Sequence, residues 1–332
     1  MLINANALAI PLANKSVHTI VTSPPYYGLR DYCVDGQIGL EVTPDEYIAN
    51  LVEVFRECKR ILRDDGTLWV NIGDSYTSDG FNRNSVKLGS GIQADQRAKN
   101  PEYEKQTAPR GSRYYLNCNL KPKDLIGIPW MLAFALRADG WYLRQDIIWA
   151  KPNPMPESVK DRCTKSHEYI FLLSKSAKYY YDNEAIMEPS VDPKGTANRY
   201  KSPFMVGEKE SNGGGRLNNA KNTAGYKNLK YDGQQPNTMH LNRLEGEEYM
   251  SPVRNKRDVW TITTKPYKGA HYATFNPDLI KPCILAGAPE GGIVFDPFVG
   301  SGTTVATAIQ LGRKGIGIDL SFKYLQENAK VR

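Results

Sequence analysis

Two short segments near opposite ends of this 332-residue chain combine residue types that could do chemistry. The first, Thr22–Tyr26, reads Thr-Ser-Pro-Pro-Tyr. The hydroxyl of Ser23 and the carbonyl of Pro24 can accept hydrogen bonds, Pro25 keeps the turn rigid, and the ring of Tyr26 can stack on a planar group. Such acceptors could hold both protons of a base amino group. They would thereby favour a pyramidal nitrogen in line with a sulfonium methyl group.

The second segment, Asp296–Thr304, reads Asp-Pro-Phe-Val-Gly-Ser-Gly-Thr-Thr, and we call it the glycine bend. Gly300 and Gly302 allow a tight turn and a close approach of the backbone to a ligand. Asp319 ends the next predicted strand, where an acid accepts hydrogen bonds from ribose hydroxyls in dinucleotide-type sites. Val305 stands where the third glycine of Gly-x-Gly-x-x-Gly would be. The pattern therefore favours an adenosyl cofactor over NAD.

The elements that must position these segments alternate between helix and strand. A strand at the end of residues 15–22, a helix over Pro44–Leu62 and a buried strand over residues 67–72 form a unit that implies parallel pairing. Further helices are predicted over residues 125–138, 277–286 and 303–311, and further strands over residues 142–149, 168–174, 292–295 and 315–319, before a closing helix. The alternation predicts a doubly wound α/β fold, in which both segments lie at carboxyl ends of strands and face a common cavity.

The net charge of +7 resides in two loop-rich stretches. Residues 77–118 hold 7 Lys or Arg against 4 Asp or Glu, and residues 190–258 hold 12 against 8. The rest of the chain is therefore neutral, and the two basic stretches are typical of an enzyme that binds a polyanion. Basic loops can equally serve solubility alone.

Taken together, the two segments resemble the permuted β-group of DNA amino-methyltransferases, in which the Ser/Asp-Pro-Pro-Tyr motif precedes the cofactor motif. The resemblance implies a Rossmann-like methyltransferase fold with a mostly parallel sheet and circularly permuted motif order. It also implies a division of the chain. Residues 1–76 and 119–189 form the catalytic half, which residues 77–118 interrupt as a basic insertion. Residues 190–258 form the target-recognition region, and residues 259–332 form the cofactor-binding half.

The resemblance also implies S-adenosyl-L-methionine as the cofactor and double-stranded DNA as the substrate, with the target base flipped out of the helix. The predicted catalytic residues are Ser23, Pro24, Pro25 and Tyr26. The predicted cofactor-binding residues are Asn6, Phe275, Asn276, Asp296, Phe298, Gly300, Ser301, Gly302, Thr303, Thr304 and Asp319. The segments Asn71–Asp74 and Trp149–Pro154 look like those that line the target-base pocket in this family.

Basic residues of the two loop-rich stretches, together with Lys151, are candidate DNA contacts. They are Arg83, Arg110, Arg113, Lys151, Lys194, Arg199, Arg216, Arg254, Lys256 and Arg257. A restriction endonuclease of the same system is a candidate partner. The sequence leaves open whether such a nuclease exists, and whether the protein is a monomer or a homodimer.

Three other functions compete with methylation of cytosine N4. Family members with Ser at the first motif mostly act on cytosine N4, and those with Asp mostly on adenine N6, so adenine is the nearest alternative. Methylation of cytosine C5 would need a Pro-Cys nucleophile, which Pro282 and Cys283 could supply, although their apolar helical context predicts a buried thiol. A catalytically inactive DNA-binding protein with the same fold is the third.

The remaining composition narrows the class of protein. The five cysteines and four histidines show no metal-ligand spacing, so no metal is expected. The amino terminus lacks the pattern of a secretory signal, and no apolar run is long enough for a membrane helix. The sequence therefore predicts a cytoplasmic protein without a membrane anchor.

Overall fold

The computed structural model describes residues 1–29, 31–32, 34–77, 120–121, 123–190, 253–264, 275–322 and 325–326. The chain divides into two compact units, one formed by Met1–Ile186 with Arg257–Arg332 and the other by Met187–Lys256. Across the part of the chain described, no helix is long and apolar enough to cross a membrane.

The larger unit contains an eight-stranded sheet. Its strands are β1 (Leu2–Asn4), β2 (Val17–Thr22), β3 (Leu62–Ile72), β4 (Tyr142–Ala150), β5 (His167–Ser174), β8 (Val259–Thr261), β9 (Ile293–Asp296) and β10 (Lys314–Asp319). They lie in the order β1-β10-β9-β2-β3-β5-β4-β8. Only β5 runs antiparallel to its neighbours, so the sheet is mixed and mostly parallel, as predicted.

Helices cover both faces of this sheet. They are α1 (Pro44–Ile61), α2 (Ile128–Ala138), α3 (Pro277–Gly287) and α4 (Thr303–Gln310). Strand side chains alternate between the faces: Leu68 and Val70 pack in the core that contains α1 and α2, whereas Trp69 packs in the core that contains α3 and α4. The predicted doubly wound α/β architecture is therefore confirmed.

Helix α1 shows how the local sequence produces the predicted unit. Thr43 accepts a hydrogen bond from the backbone of Glu46, and the Glu46 carboxylate accepts one from the backbone of Thr43, which completes a capping box. Pro44 occupies the first turn, where its missing N–H has no cost. The helix connects β2 to β3, which pair in parallel from Thr19–Thr67 to Thr22–Val70.

The starts of two elements differ from the sequence prediction. Helix α2 begins at Ile128 rather than Leu125, because Gly127 adopts a left-handed conformation (φ 85°) and the Asp74 carboxylate accepts hydrogen bonds from the backbone N–H groups of both Gly127 and Ile128. Strand β3 begins at Leu62, five residues before the predicted start, since α1 ends directly into it. Strand β8 was not predicted, because it has only three residues. The predicted closing helix lies largely outside the described residues.

In the smaller unit the described residues form a two-stranded antiparallel sheet of β6 (Glu188–Pro189) and β7 (Val253–Arg254). The Arg254 guanidinium donates to the Glu188 carboxylate at 3.0 Å across this pair. The predicted target-recognition region, residues 190–258, falls mostly outside the described residues, and its role stays a prediction.

Candidate active site

The first predicted segment leaves the sheet at the carboxyl end of β2, and we call Ser23–Tyr26 the diproline corner. Helix α1 holds this corner in place, because the buried Tyr47 hydroxyl donates to the Pro25 carbonyl at 2.7 Å. No described residue donates to the Pro24 carbonyl. Helix α1 therefore holds the backbone of the corner, and among the described residues none competes for the Pro24 carbonyl.

The glycine bend leaves the sheet at the carboxyl end of β9, the strand next to β2. A direct contact joins the two segments: the Asp296 carboxylate accepts from the Thr22 hydroxyl and from the Thr304 hydroxyl, both at 2.6 Å. The backbone N–H of Phe298 donates to the same carboxylate at 3.0 Å. Burial raises the pKa of Asp296 to about 6, although these three hydrogen bonds act in the opposite direction. Thr22 and Asp296 are 274 positions apart in sequence.

Two glycines with positive φ shape the bend. Gly300 (φ 46°) points its N–H at the Asp319 carboxylate, 3.0 Å away at the end of the neighbouring strand β10. Gly302 (φ 77°) is the residue before the first turn of α4. Burial raises the pKa of Asp319, while hydrogen bonds from the backbones of Ser321 and Gly300 act in the opposite direction. The carboxylate keeps further lone pairs for hydroxyl groups of a ligand.

One cavity of about 700 Å³ connects the two segments, a size typical of small-molecule sites. The predicted residues that line it are Asn6, Ser23, Pro24, Pro25, Tyr26, Lys151, Phe275, Asn276, Asp296, Phe298, Gly300, Ser301, Thr303, Thr304 and Asp319. Gly302 does not line the cavity, and its contribution is to shape the bend. The fold therefore brings together two segments that are far apart in the sequence.

Two predicted cofactor contacts, Asn276 and Asn6, form side-chain hydrogen bonds within the protein. The Asn276 side chain caps α3 by accepting from the backbone N–H of Asp278 at 3.0 Å, and it donates to the Thr263 carbonyl at 2.7 Å. The Asn6 side chain accepts from the backbone N–H of Leu8 at 2.9 Å. Asn276 therefore contributes a wall to the cavity, and Asn6 keeps its amide N–H groups for a ligand.

The end of the cavity away from the glycine bend holds a set of polar side chains that we call the base-side cluster: Tyr26, Asn71, Lys151 and Glu168. The Glu168 carboxylate accepts from the Tyr26 hydroxyl at 2.8 Å and from the Asn71 amide at 3.3 Å, and it forms an ion pair with Lys151. The sequence prediction missed Glu168, because a single acid at the start of an apolar strand carries no motif signal.

Glycine at position 73 makes room for the ring of Tyr26. A Cβ atom at Gly73 would lie 2.8 Å from Cε2 of that ring. Burial raises the pKa of Tyr26 well above its usual value, and the charge and hydrogen bond of Glu168 raise it further. The Tyr26 hydroxyl therefore remains protonated and donates to Glu168.

The candidate DNA contacts fall into three groups. Arg83, Arg110, Arg113, Lys194, Arg199 and Arg216 lie outside the described residues. Lys151 lies inside the cavity rather than on an open surface: its side chain is 17% exposed, and its ammonium lies 4.2 Å from the centre of the Trp149 ring. Arg254 is paired with Glu188, and Lys256 and Arg257 follow β7.

Cys283 is buried in α3, as its apolar context predicted, with 2% of its surface exposed. Its thiol lies 3.7 Å from the Leu279 carbonyl one turn earlier, and it does not line the cavity. This placement argues against the cysteine nucleophile that methylation of cytosine C5 requires.

Comparison with known proteins gives a consistent result. The sequence model of a DNA methylase family for N6 and N4 amino groups matches residues 17–330. The chain is 45% identical over 314 residues to the type II methyltransferase M.Cfr9I of Citrobacter freundii, which covers 95% of this chain and 80% of the relative. It is 44% identical over 306 residues to the type II methyltransferase M.SmaI of Serratia marcescens, and this alignment covers 92% of this chain and 80% of the relative.

Two solved structures share the fold. The PvuII DNA methyltransferase (cytosine-N4-specific) superposes with a TM-score of 0.56 at 14% identity, covering 99% of this chain and 84% of that one. A protein of Thermus thermophilus described as a DNA modification methylase, solved with S-adenosyl-L-methionine, superposes with a TM-score of 0.52 at 18% identity, covering 99% and 91%. These likenesses confirm the predicted Rossmann-like methyltransferase fold.

Proposed function

Since the chain belongs to the DNA methylase family and is a DNA methyltransferase, we propose that it methylates the N4 amino group of cytosine after flipping that base out of the duplex. The observation that carries this proposal is the single cavity that the glycine bend and the diproline corner share. The serine at position 23 favours cytosine N4 over adenine N6, following the tendency of the family.

The residues present at the glycine bend fit S-adenosyl-L-methionine, the cofactor of this family. When bound, this group supplies a methyl carbon activated by a sulfonium sulfur. We assign Asp319 to the ribose hydroxyls, because its carboxylate reaches the cavity and retains lone pairs beside the backbone bonds it accepts. The aromatic rings of Phe298 and Phe275 offer apolar surface to the adenine or to the methionine chain.

The diproline corner would hold the amino group of the target base. The Ser23 hydroxyl and the Pro24 carbonyl each accept one amino proton, which draws the nitrogen lone pair out of conjugation with the ring. Of the two proline carbonyls at this corner, that of Pro25 accepts from the Tyr47 hydroxyl, whereas that of Pro24 accepts from no described residue. The ring of Tyr26 supplies a surface on which the extruded base can stack.

We also infer that residues 190–258 contact the recognition sequence, since they hold 12 basic residues and fall where this family places its target-recognition region. The likeness to type II methyltransferases supports a restriction endonuclease as the partner in the same system. A cell that carries this chain would then hold a nuclease that cleaves unmethylated DNA and spares DNA treated with this protein.

The product identifies the target atom directly. Purified protein is incubated with labelled S-adenosyl-L-methionine and unmethylated genomic DNA, and the digested nucleosides are separated by mass spectrometry. We expect N4-methylcytosine. N6-methyladenine would contradict the assignment of the base, and 5-methylcytosine would contradict amino methylation altogether.

A matched pair of serine variants tests the diproline corner in the same assay. Ser23→Ala removes one acceptor of the amino group and should lower turnover by about 100-fold. Ser16→Ala removes a hydroxyl that donates to the Ala13 carbonyl at 2.7 Å outside the cavity, and it should leave turnover unchanged. Equal rates for the two variants would remove Ser23 from the mechanism.

A further inference from the structure

Two large apolar residues in the wall of the cavity are mostly exposed to solvent. Among the described residues that line the cavity, Met155 is 84% exposed and Leu29 is 61% exposed. Single apolar side chains scattered over a surface are ordinary, but these two belong to one cavity. Leu29 comes three residues after Tyr26, and Met155 comes four residues after Lys151. The exposed apolar surface therefore lies on segments that also carry the base-side cluster.

The backbone around Met155 is restrained on both sides. Met155 stands between Pro154 and Pro156. Each proline ring fixes its own φ angle and restricts the residue before it. The Asn153 side chain ties the same segment to the residues that follow β8, because its oxygen accepts from the Thr264 backbone N–H at 2.9 Å and its nitrogen donates to the Thr264 carbonyl at 3.2 Å. Met155 is therefore an exposed apolar side chain on a constrained backbone.

The segment that carries the exposed methionine can approach a polyanion. Residues 151–166 connect β4 to β5 and hold four Lys or Arg against two Asp or Glu. Both acids are paired: Glu157 with Arg162 at 2.6 Å, and Asp161 with Lys123 at 3.2 Å. A DNA backbone that reaches this segment would therefore meet basic side chains and acids whose charge is already compensated.

We propose that Met155 enters the base stack of the duplex and fills the gap that the flipped base leaves. The inference rests on the proposed function, in which one base leaves the helix. Extrusion breaks stacking and pairing contacts, and an apolar side chain in the gap restores contact with the neighbouring base pairs. Methionine suits this role, because its side chain is unbranched and its thioether makes favourable contacts with aromatic rings. Insertion also removes its exposed apolar surface from water.

The constraint on the backbone favours Met155 over Leu29 for this role. A side chain that fills a gap in the stack gains most when its backbone is already held in position, because less conformational freedom is lost on binding. The neighbours of Leu29 in sequence are Gly28 and Arg30, neither of which constrains the backbone as the two prolines beside Met155 do.

A duplex in which the target base is already unpaired separates this role from a role in shaping the cavity. Two oligonucleotide duplexes carry the site that the wild type modifies in genomic DNA. One is fully paired, and the other has an abasic site opposite the target base. Met155→Ala should lower kcat/KM by about 10-fold on the paired duplex and by about threefold or less on the abasic duplex, where extrusion costs less.

Two matched variants control for size and for general effects of surface changes. Met155→Leu keeps an apolar side chain of similar volume, so its kcat/KM on the paired duplex should stay within about threefold of the wild type. Ile309→Ala shortens another exposed apolar side chain, which lies on α4 and does not line the cavity, and it should change neither rate. The affinity for S-adenosyl-L-methionine, measured by calorimetry, should stay within about twofold for all three variants.

Three outcomes would overturn the inference alone: an unchanged rate for Met155→Ala on the paired duplex, an equal loss on both duplexes, or a loss in Met155→Leu as large as that in Met155→Ala. A wild-type protein that methylates no base of DNA would overturn the proposed function and this inference with it. Because the duplexes carry whichever site the wild type modifies, N6-methyladenine as the product would contradict the base assignment and leave the test of Met155 intact.

Discussion

The two ends of the cavity are built in different ways. At the glycine bend, backbone N–H groups and neutral hydroxyls surround two carboxylates, and the supporting strands β2, β9 and β10 are adjacent and parallel. At the base-side cluster, Asn71 and Glu168 lie on β3 and β5, Lys151 follows β4, and Tyr26 comes from the diproline corner. The sheet contains its antiparallel strand, β5, at this end. The first end depends on backbone shape, and the second depends on the identity of individual side chains.

This difference has a consequence for specificity. A site made by backbone conformation binds a ligand that is the same in every reaction, as S-adenosyl-L-methionine is. A site made by side chains can change its preference through single substitutions, as an enzyme that must choose one base requires. Substitutions at the two ends should therefore have separable effects: stability and cofactor affinity at the bend, and turnover at the cluster.

The largest effect is expected at the base-side cluster. Tyr26→Ala should lower turnover by about 100-fold or more, because it removes the surface on which the extruded base stacks. Cofactor affinity should change little, since the Tyr26 hydroxyl bonds to Asn71 and Glu168 rather than to the bend. Steady-state kinetics and calorimetry measure the two quantities, and near-normal turnover would contradict the assignment.

An intermediate effect is expected at the bend, from the buried Asp296 carboxyl group. Its pKa is raised to about 6 in the folded protein, above the 3.8 of an unperturbed aspartate. The stability that this group contributes is therefore complete below about pH 3.8 and is lost as the pH rises through about 6. In urea unfolding, the stability of the wild type relative to Asp296→Asn should fall by roughly 3 kcal/mol over that interval.

The same titration carries its own control. Above about pH 7 the Asp296 carboxyl group is ionised in both states, so the difference between wild type and variant should stay constant there. A difference that does not change between pH 4 and pH 6 would show that the pKa of Asp296 is not raised, because the bonds from Thr22 and Thr304 would then offset the effect of burial completely.

The smallest effect is expected away from both ends. Cys283→Ser should leave turnover within about twofold of the wild type, because the side chain is buried in α3 and the serine hydroxyl can donate to the Leu279 carbonyl. Methyl transfer assays on folded protein check this. Complete loss of activity would support Cys283 as the nucleophile of cytosine C5 methylation. It would also contradict the assignment of catalysis to the two ends of the cavity.

Local sequence patterns determined most of the scaffold. Strand β2 ends just before Pro24 and Pro25, which have no N–H group to donate to a neighbouring strand. Helix α1 begins at the capping box of Thr43 and Glu46. Gly300 and Gly302 stand where the backbone adopts positive φ. These features depend on a few neighbouring residues, so they can be read without knowing the fold. The carboxyl ends of parallel strands then predict a shared cavity, and the family resemblance predicts which cofactor binds there.

Only the tertiary structure decided which side chains meet across strands. Glu168 lies near the start of an apolar strand and gives no local signal, yet the antiparallel register of β5 against β3 places it beside Asn71 and Tyr26. Lys151, a candidate DNA contact in a segment that resembles the lining of the target-base pocket, lines the cavity, and its ion pair with Glu168 could not be predicted from the sequence. Contacts between residues distant in sequence follow from register and packing, which act over the whole sheet and leave no mark at a single position.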